Sequence, residues 1–168
     1  LAFFSGNEVY WKTRWEPSID GSATSHRTLV CYKEGTLGEN VCGGRCDPLA
    51  GTWTGLWRDG CAFPTLDGCR AENALTGQIS WMGTTAAITV PDTYKDLRFW
   101  RNTAVATLGT GATLTLPPET LGYEWDQEQF PASYPSRRIK LSATSNSSQT
   151  HHLSLYRHAS GALVFGAG

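Results

Sequence analysis

No stretch of about eleven residues in this 168-residue chain holds apolar positions at a helical period without a glycine, a proline or a β-branched cluster breaking it. Helix bundles and long coiled coils are therefore excluded. Runs rich in β-branched and aromatic residues are plentiful instead, and they predict strands over 1–4, 9–15, 28–33, 77–83, 86–90, 97–101, 112–116, 138–143, 152–157 and 163–165. The last two flank His158-Ala-Ser-Gly161, a short connection ending in glycine, which predicts a hairpin. Leu1 to Phe4 is apolar throughout and reads as the middle of a buried strand. Long irregular loops are expected over 35–70 and 122–136, and loops of that length are usually functional or externally stapled.

The five cysteines, Cys31, Cys42, Cys46, Cys61 and Cys69, fall in or just before the first of these loops. Cys42 and Cys46 resemble half of a metal knuckle, but Cys61 and Cys69 are too widely spaced to supply the second half. Disulfides that limit a floppy unfolded loop fit better, with their pairing left open by the spacing and one cysteine left over. Asn146-Ser147-Ser148 is an acceptor for N-glycosylation. Together these features predict an extracellular or cell-surface protein.

Lys and Arg number 14 against 15 Asp and Glu, so the formal net charge of -1 provides no field to gather nucleic acid. No apolar run approaches the ~20 residues of a membrane-spanning helix, so membrane insertion is not expected. Apolar sequence at both ends, Leu1 to Phe4 and Ala162 to Phe165, predicts a single domain over 1–168 whose N-terminal part is missing, a segment of a longer polypeptide.

Candidate chemistry starts at Ser5-Gly6-Asn7-Glu8, directly after the first strand, where small residues let the backbone turn and a crevice can form. Asn7 and Glu8 are the binding candidates there. Seven tryptophans suggest a different role. Trp53 and Trp57, in glycine-rich loop sequence, are the candidates for stacking on glycans or anchoring protein partners. His151 and His152 are adjacent, so on a strand they point to opposite faces; His152 shares a face with Ser154 and Tyr156 and is a candidate for proton transfer.

Several longer blocks occur in a recognisable order: Phe4-Ser-Gly-Asn-Glu-Val-Tyr-Trp11, Trp53-Thr-Gly-Leu-Trp-Arg58, Glu72-Asn-Ala-Leu-Thr-Gly77, Leu121-Gly-Tyr-Glu-Trp-Asp126, and His152-Leu-Ser-Leu-Tyr156 with Gly161 to Gly168. In these blocks the chain resembles large-subunit-like domains of the N,N-dimethylformamidase type, and it looks closest to a secreted, multidomain branch. The resemblance implies an α/β core similar to a class I glutamine amidotransferase, of which the span present is predominantly β-strand and long loops with little helix. It also implies an iron held by two tyrosines and a glutamate. Tyr10 matches the second tyrosine, and the first belongs to a block upstream of Leu1. Thr52 stands where the carboxylate is expected, which leaves Glu72 or Glu124 as substitutes, with Glu124 alternatively matching the catalytic carboxylate.

A phenolate and carboxylates are hard ligands suited to a ferric ion, which would polarise an amide carbonyl while a second carboxylate serves as base. Two functions follow. In the first, the domain is a non-catalytic surface or structural module that binds glycans, neighbouring subunits or the rest of its own polypeptide. In the alternative, the complete domain is an iron-assisted amide hydrolase with Tyr10 and Glu72 as ligands and Glu124 and His152 as catalytic groups.

Overall fold

Ser154–Arg157 (β9) and Leu163–Gly166 (β10) form the predicted hairpin, closed by the His158 amide donating to the Ala162 carbonyl at 2.9 Å. It is the centre of a four-stranded sheet in the computed structural model, which describes residues 1–34, 46–49, 51–63, 68–81, 84–146 and 149–168. Ala2–Phe3 (β1) pairs parallel with β10, and Ile139–Lys140 (β6) pairs antiparallel with β9, so the order is β1-β10-β9-β6. Two-stranded ladders join Arg14–Glu16 (β2) to Thr28–Val30 (β3), Thr89–Pro91 (β4) to Thr113–Thr115 (β5), and Thr144–Ser145 (β7) to Thr150–His151 (β8). The α-helices among the described residues are single turns, Asp59–Ala62 (α1) and Asn73–Thr76 (α2). Strands and loops dominate, as expected. No helix among the described residues is long and apolar enough to cross a membrane.

The chain divides into two compact units, one made of Leu1–Glu8 with Asn73–Gly168 and the other of Val9–Glu72. The first has an apolar core of Ile88, Val90, Val105, Leu121, Trp125, Leu141 and Leu153, onto which Leu155 and Phe165 pack from one face of the sheet. On the other face Ser154, Tyr156, Val164 and Gly166 are buried, and the Tyr156 hydroxyl donates to the Leu75 carbonyl in α2. Gly166 is needed there, since a Cβ would lie 2.7 Å from the Thr76 carbonyl oxygen.

Among its described residues the second unit buries few apolar side chains and is organised by carboxylates. Asp47 accepts a two-pronged bond from Arg14, at 2.7 and 2.9 Å, and a third from the Leu49 amide. Glu34 accepts from the Thr54 and Asp47 amides, and Asp59 accepts from the Leu56 amide at 2.9 Å. Buried acceptors thus satisfy loop amides that no sheet could pair. A disulfide joins Cys61 to Cys69. Cys46 is also disulfide-bonded, Cys42 lies outside the described residues, and Cys31 drops out of the crosslinks as a free thiol, its Sγ within 3.4 Å of the Thr54 carbonyl.

Several expected strands are shorter or absent, for local reasons. Leu1 and Phe4 are 75% and 74% exposed, so the first strand is an edge and not a buried centre. Val9, Lys33 and Arg137 adopt positive φ, at 58°, 51° and 64°, which interrupts extended backbone. The run 97–101 is a 3₁₀ turn over Arg98–Trp100. There Phe99 stacks on Phe165 at 5.7 Å while the neighbouring Trp100 donates its indole N–H to the Leu141 carbonyl at 2.8 Å. The two consecutive rings lie only 4.9 Å apart, which the two-residue alternation of a strand forbids. Within 77–83, Ser80 forms only an isolated bridge to Asp126, and residues 82–83 lie outside those described.

Candidate functional site

The turn that follows β1 forms one wall of a cleft in the first unit. Gly6 passes so close to the 121–125 segment that a Cβ there would lie 2.0 Å from the Glu124 carbonyl oxygen and 3.0 Å from the Ser80 Cβ. Only glycine fits this approach. Ser80 binds the two walls together, its amide donating to the Gly6 carbonyl at 3.2 Å and its hydroxyl to the Glu124 carbonyl at 2.8 Å. The resulting cleft holds about 440 Å³ and is lined by Phe4, Asn7, Tyr123, Glu124 and Trp125 among others. The Phe4 ring and the Tyr123 ring, the latter 62% exposed, stand on its walls. Trp125 is buried and donates its indole N–H to the Thr84 carbonyl.

Two candidates named from the sequence, Asn7 and Glu124, therefore share one cavity. Glu124 is solvent-exposed, and among the described residues it is the carboxylate that lines the cleft. The lining combines aromatic surface with a few polar groups. Glu8 is half-buried in the same turn.

Tyr10 and Glu72 are brought together in the second unit, but through a third side chain. The Arg58 guanidinium lies 4.9 Å from the centre of the Tyr10 ring and donates through Nη2 to Glu72. The side chains of Arg58 and Glu72 are 5% and 1% exposed, so their charges neutralise each other out of water. A ferric ion needs anionic oxygens directed at an open position. Here the carboxylate is engaged by a fixed cation that also covers the tyrosine face, and Thr52, an uncharged side chain, stands at the expected carboxylate position. The donor set does not fit the iron that the resemblance implies. Among the described residues no three His, Cys, Asp or Glu side chains converge as a metal cage.

Trp53 and Trp57 are both half-buried; Trp57 lies under the Lys12 ammonium at 5.6 Å and Trp53 packs against Gly55. Asn146 is exposed, and its side-chain oxygen accepts from the Gln149 amide at 2.9 Å, while Ser147 and Ser148 lie outside the described residues.

Both members of the histidine pair are buried. His151 places Nε2 3.1 Å from the Ala167 carbonyl, and burial pushes its pKa down to about 4. His152 places Nδ1 2.6 Å from the Ser142 carbonyl and Nε2 4.0 Å from Glu128. Burial pushes its pKa down as well. Glu128 is clamped by Lys140 at 2.8 Å and by Arg138, which hold it below the carboxylate range although burial opposes them. Sequence reasoning passed over Asp126. This carboxyl is fully buried, accepts from the Ile79 amide at 2.7 Å, and is pushed by burial up to about 7.

The two shifts have opposite signs. A carboxyl raised from 3.8 to about 7 contributes stability that is full below the lower value and lost as pH rises through the upper one. A histidine lowered from 6.5 to about 4 contributes stability that is full above 6.5 and lost as pH falls through 4. Asp126→Asn removes only the first. Relative to wild type, the variant should gain on the order of 4 kcal/mol between pH 4 and pH 7.5. Urea unfolding at a series of pH values measures this, and a pH-independent difference between the two proteins would show that Asp126 ionises normally.

The family model for the N,N-dimethylformamidase beta subunit-like C-terminal domain matches residues 1–168. No curated protein and no solved structure shows significant similarity to the chain. The whole described length, with both units and the Asn7–Glu124 cleft, thus belongs to the N,N-dimethylformamidase beta subunit-like family, as its C-terminal domain.

Proposed function

We propose that this domain is a non-catalytic, extracellular binding module of an N,N-dimethylformamidase-like protein, and that its cleft takes a neutral glycan. The observation that carries the reading is the Arg58 guanidinium engaging both Tyr10 and Glu72, which puts a structural cation where the hydrolase-type ligands would act. The cleft supports the second half. Phe4 and Tyr123 offer exposed ring faces for the apolar face of a sugar, while Asn7 and Glu124 offer an amide and a carboxylate for its hydroxyls. The Cys61–Cys69 disulfide supports an oxidising compartment. The parallel β1–β10 pair supports an α/β core of the class I glutamine amidotransferase kind.

The test uses the intact secreted polypeptide on a glycan array. Tyr123→Ala, at an exposed position, should weaken the strongest neutral-glycan signal at least ~10-fold, the scale of one aromatic contact. Stoichiometric iron that disappears on Tyr10→Phe, together with amide hydrolysis that disappears with it, would establish the hydrolase instead.

A further inference from the structure

A second hollow lies on the sheet of the first unit, and none of its residues lines the cleft described above. It holds about 260 Å³ and is lined by Arg137, Ile139, Leu155, Arg157, His158 and Leu163, with Tyr156 at its edge. The register explains the grouping. Ile139 is paired with Leu155 and Leu163 with Arg157, and directly paired residues share a face. An apolar floor of Ile139, Leu155 and Leu163 therefore adjoins two guanidinium groups. Ile139 and Leu163 are 45% and 54% exposed, an apolar surface left open beside two exposed charges.

Both arginines are exposed and, like Arg27, Arg98 and Arg101, have no carboxylate partner among the described residues. Arg14, Arg58 and Arg138 each pair with a carboxylate, whereas among the described residues neither Arg137 nor Arg157 makes a salt bridge or a side-chain hydrogen bond. Two like charges beside one small hollow repel each other, and the guanidinium fork is shaped to take a carboxylate. Arg137 is also held at φ 64°, a conformation that a non-glycine residue seldom adopts and that clusters at ligand clamps. The hollow is below the ~300 Å³ at which pockets for drug-sized ligands begin, so its occupant has one ring or a short chain.

We propose that this hollow binds a small organic carboxylate with an apolar body, the head held by Arg137 and Arg157 and the body lying on Ile139, Leu155 and Leu163. The site is independent of the glycan reading and of any metal. Equilibrium dialysis of labelled octanoate against the intact protein tests it. Octanoate should bind saturably, with acetate and 1-octanol each at least ~10-fold weaker, because each lacks one half of the recognition. The surface double variant Arg137→Gln/Arg157→Gln should lose octanoate at least ~10-fold while keeping its unfolding midpoint, and Leu163→Ser should weaken it too. Equal binding of 1-octanol, undiminished binding by the double variant, or no saturable octanoate binding up to its solubility limit would overturn the proposal.

Discussion

Replacing Glu72 by alanine should cost about 3–5 kcal/mol of stability and leave the metal content of the protein unchanged. The size follows from burial. Glu72 is 1% exposed at its side chain, and its partner Arg58 is 5% exposed. Deleting the acid leaves a guanidinium out of water without its neutralising charge, the situation in which breaking a buried pair is most damaging. Replacing both residues by apolar side chains of similar volume should restore much of the loss, since an apolar pair carries no desolvation penalty. Urea unfolding of the single and double variants, with iron measured on the same samples, separates the structural role from a ligand role. A single variant as stable as wild type that has lost bound iron would mean that Glu72 is a metal ligand and that the Arg58 contact is incidental.

Trp125→Ala should be comparably damaging, at about 3–5 kcal/mol, for a different reason. The indole is 2% exposed in the apolar core and lies edge-on to His151 at 6.0 Å. Truncation removes that packing, leaves a cavity, and strips the Thr84 carbonyl of its donor. The melting temperature should fall by roughly 10 °C or more. Trp125 also lines the cleft, so ligand binding should weaken along with stability, whereas Trp125→Phe should retain most of both. A loss under ~1 kcal/mol on Trp125→Ala would mean that the core does not centre on this residue.

Much of this architecture was legible in the sequence where one local rule sufficed. The β9–β10 hairpin announced itself by alternation and by the glycine of its turn. The cleft behind the first strand followed from small residues after an apolar run, and it brought Asn7 to the same cavity as Glu124. Tertiary demands defeated the same rules elsewhere. Phe99 and Trp100 look like strand residues, yet each finds a separate partner, Phe165 and the Leu141 carbonyl. Spacing gives no hint that Arg58 would stand between Tyr10 and Glu72, because side chains so distant in sequence meet only once the loops are folded. Asp126 reads as an ordinary loop acid, and its burial depends on the Ile79 amide reaching it from another segment. Trp53 and Trp57, read from glycine-rich loop sequence as an exposed pair, are half-buried.

Ala2 lies opposite Phe165 in a parallel ladder, and β10 is flanked on its other side by β9. The sheet joins two segments of the domain that lie far apart in the sequence. Such pairing is slow, because loop closure is opposed by chain entropy before any contact offsets it. During synthesis the edge of β1 and the apolar ring of Phe4 must wait without a partner strand until Val164 has emerged. Folding of this unit therefore waits for β10, and deletion of Leu163–Gly166 removes the strand to which both β1 and β9 are bonded.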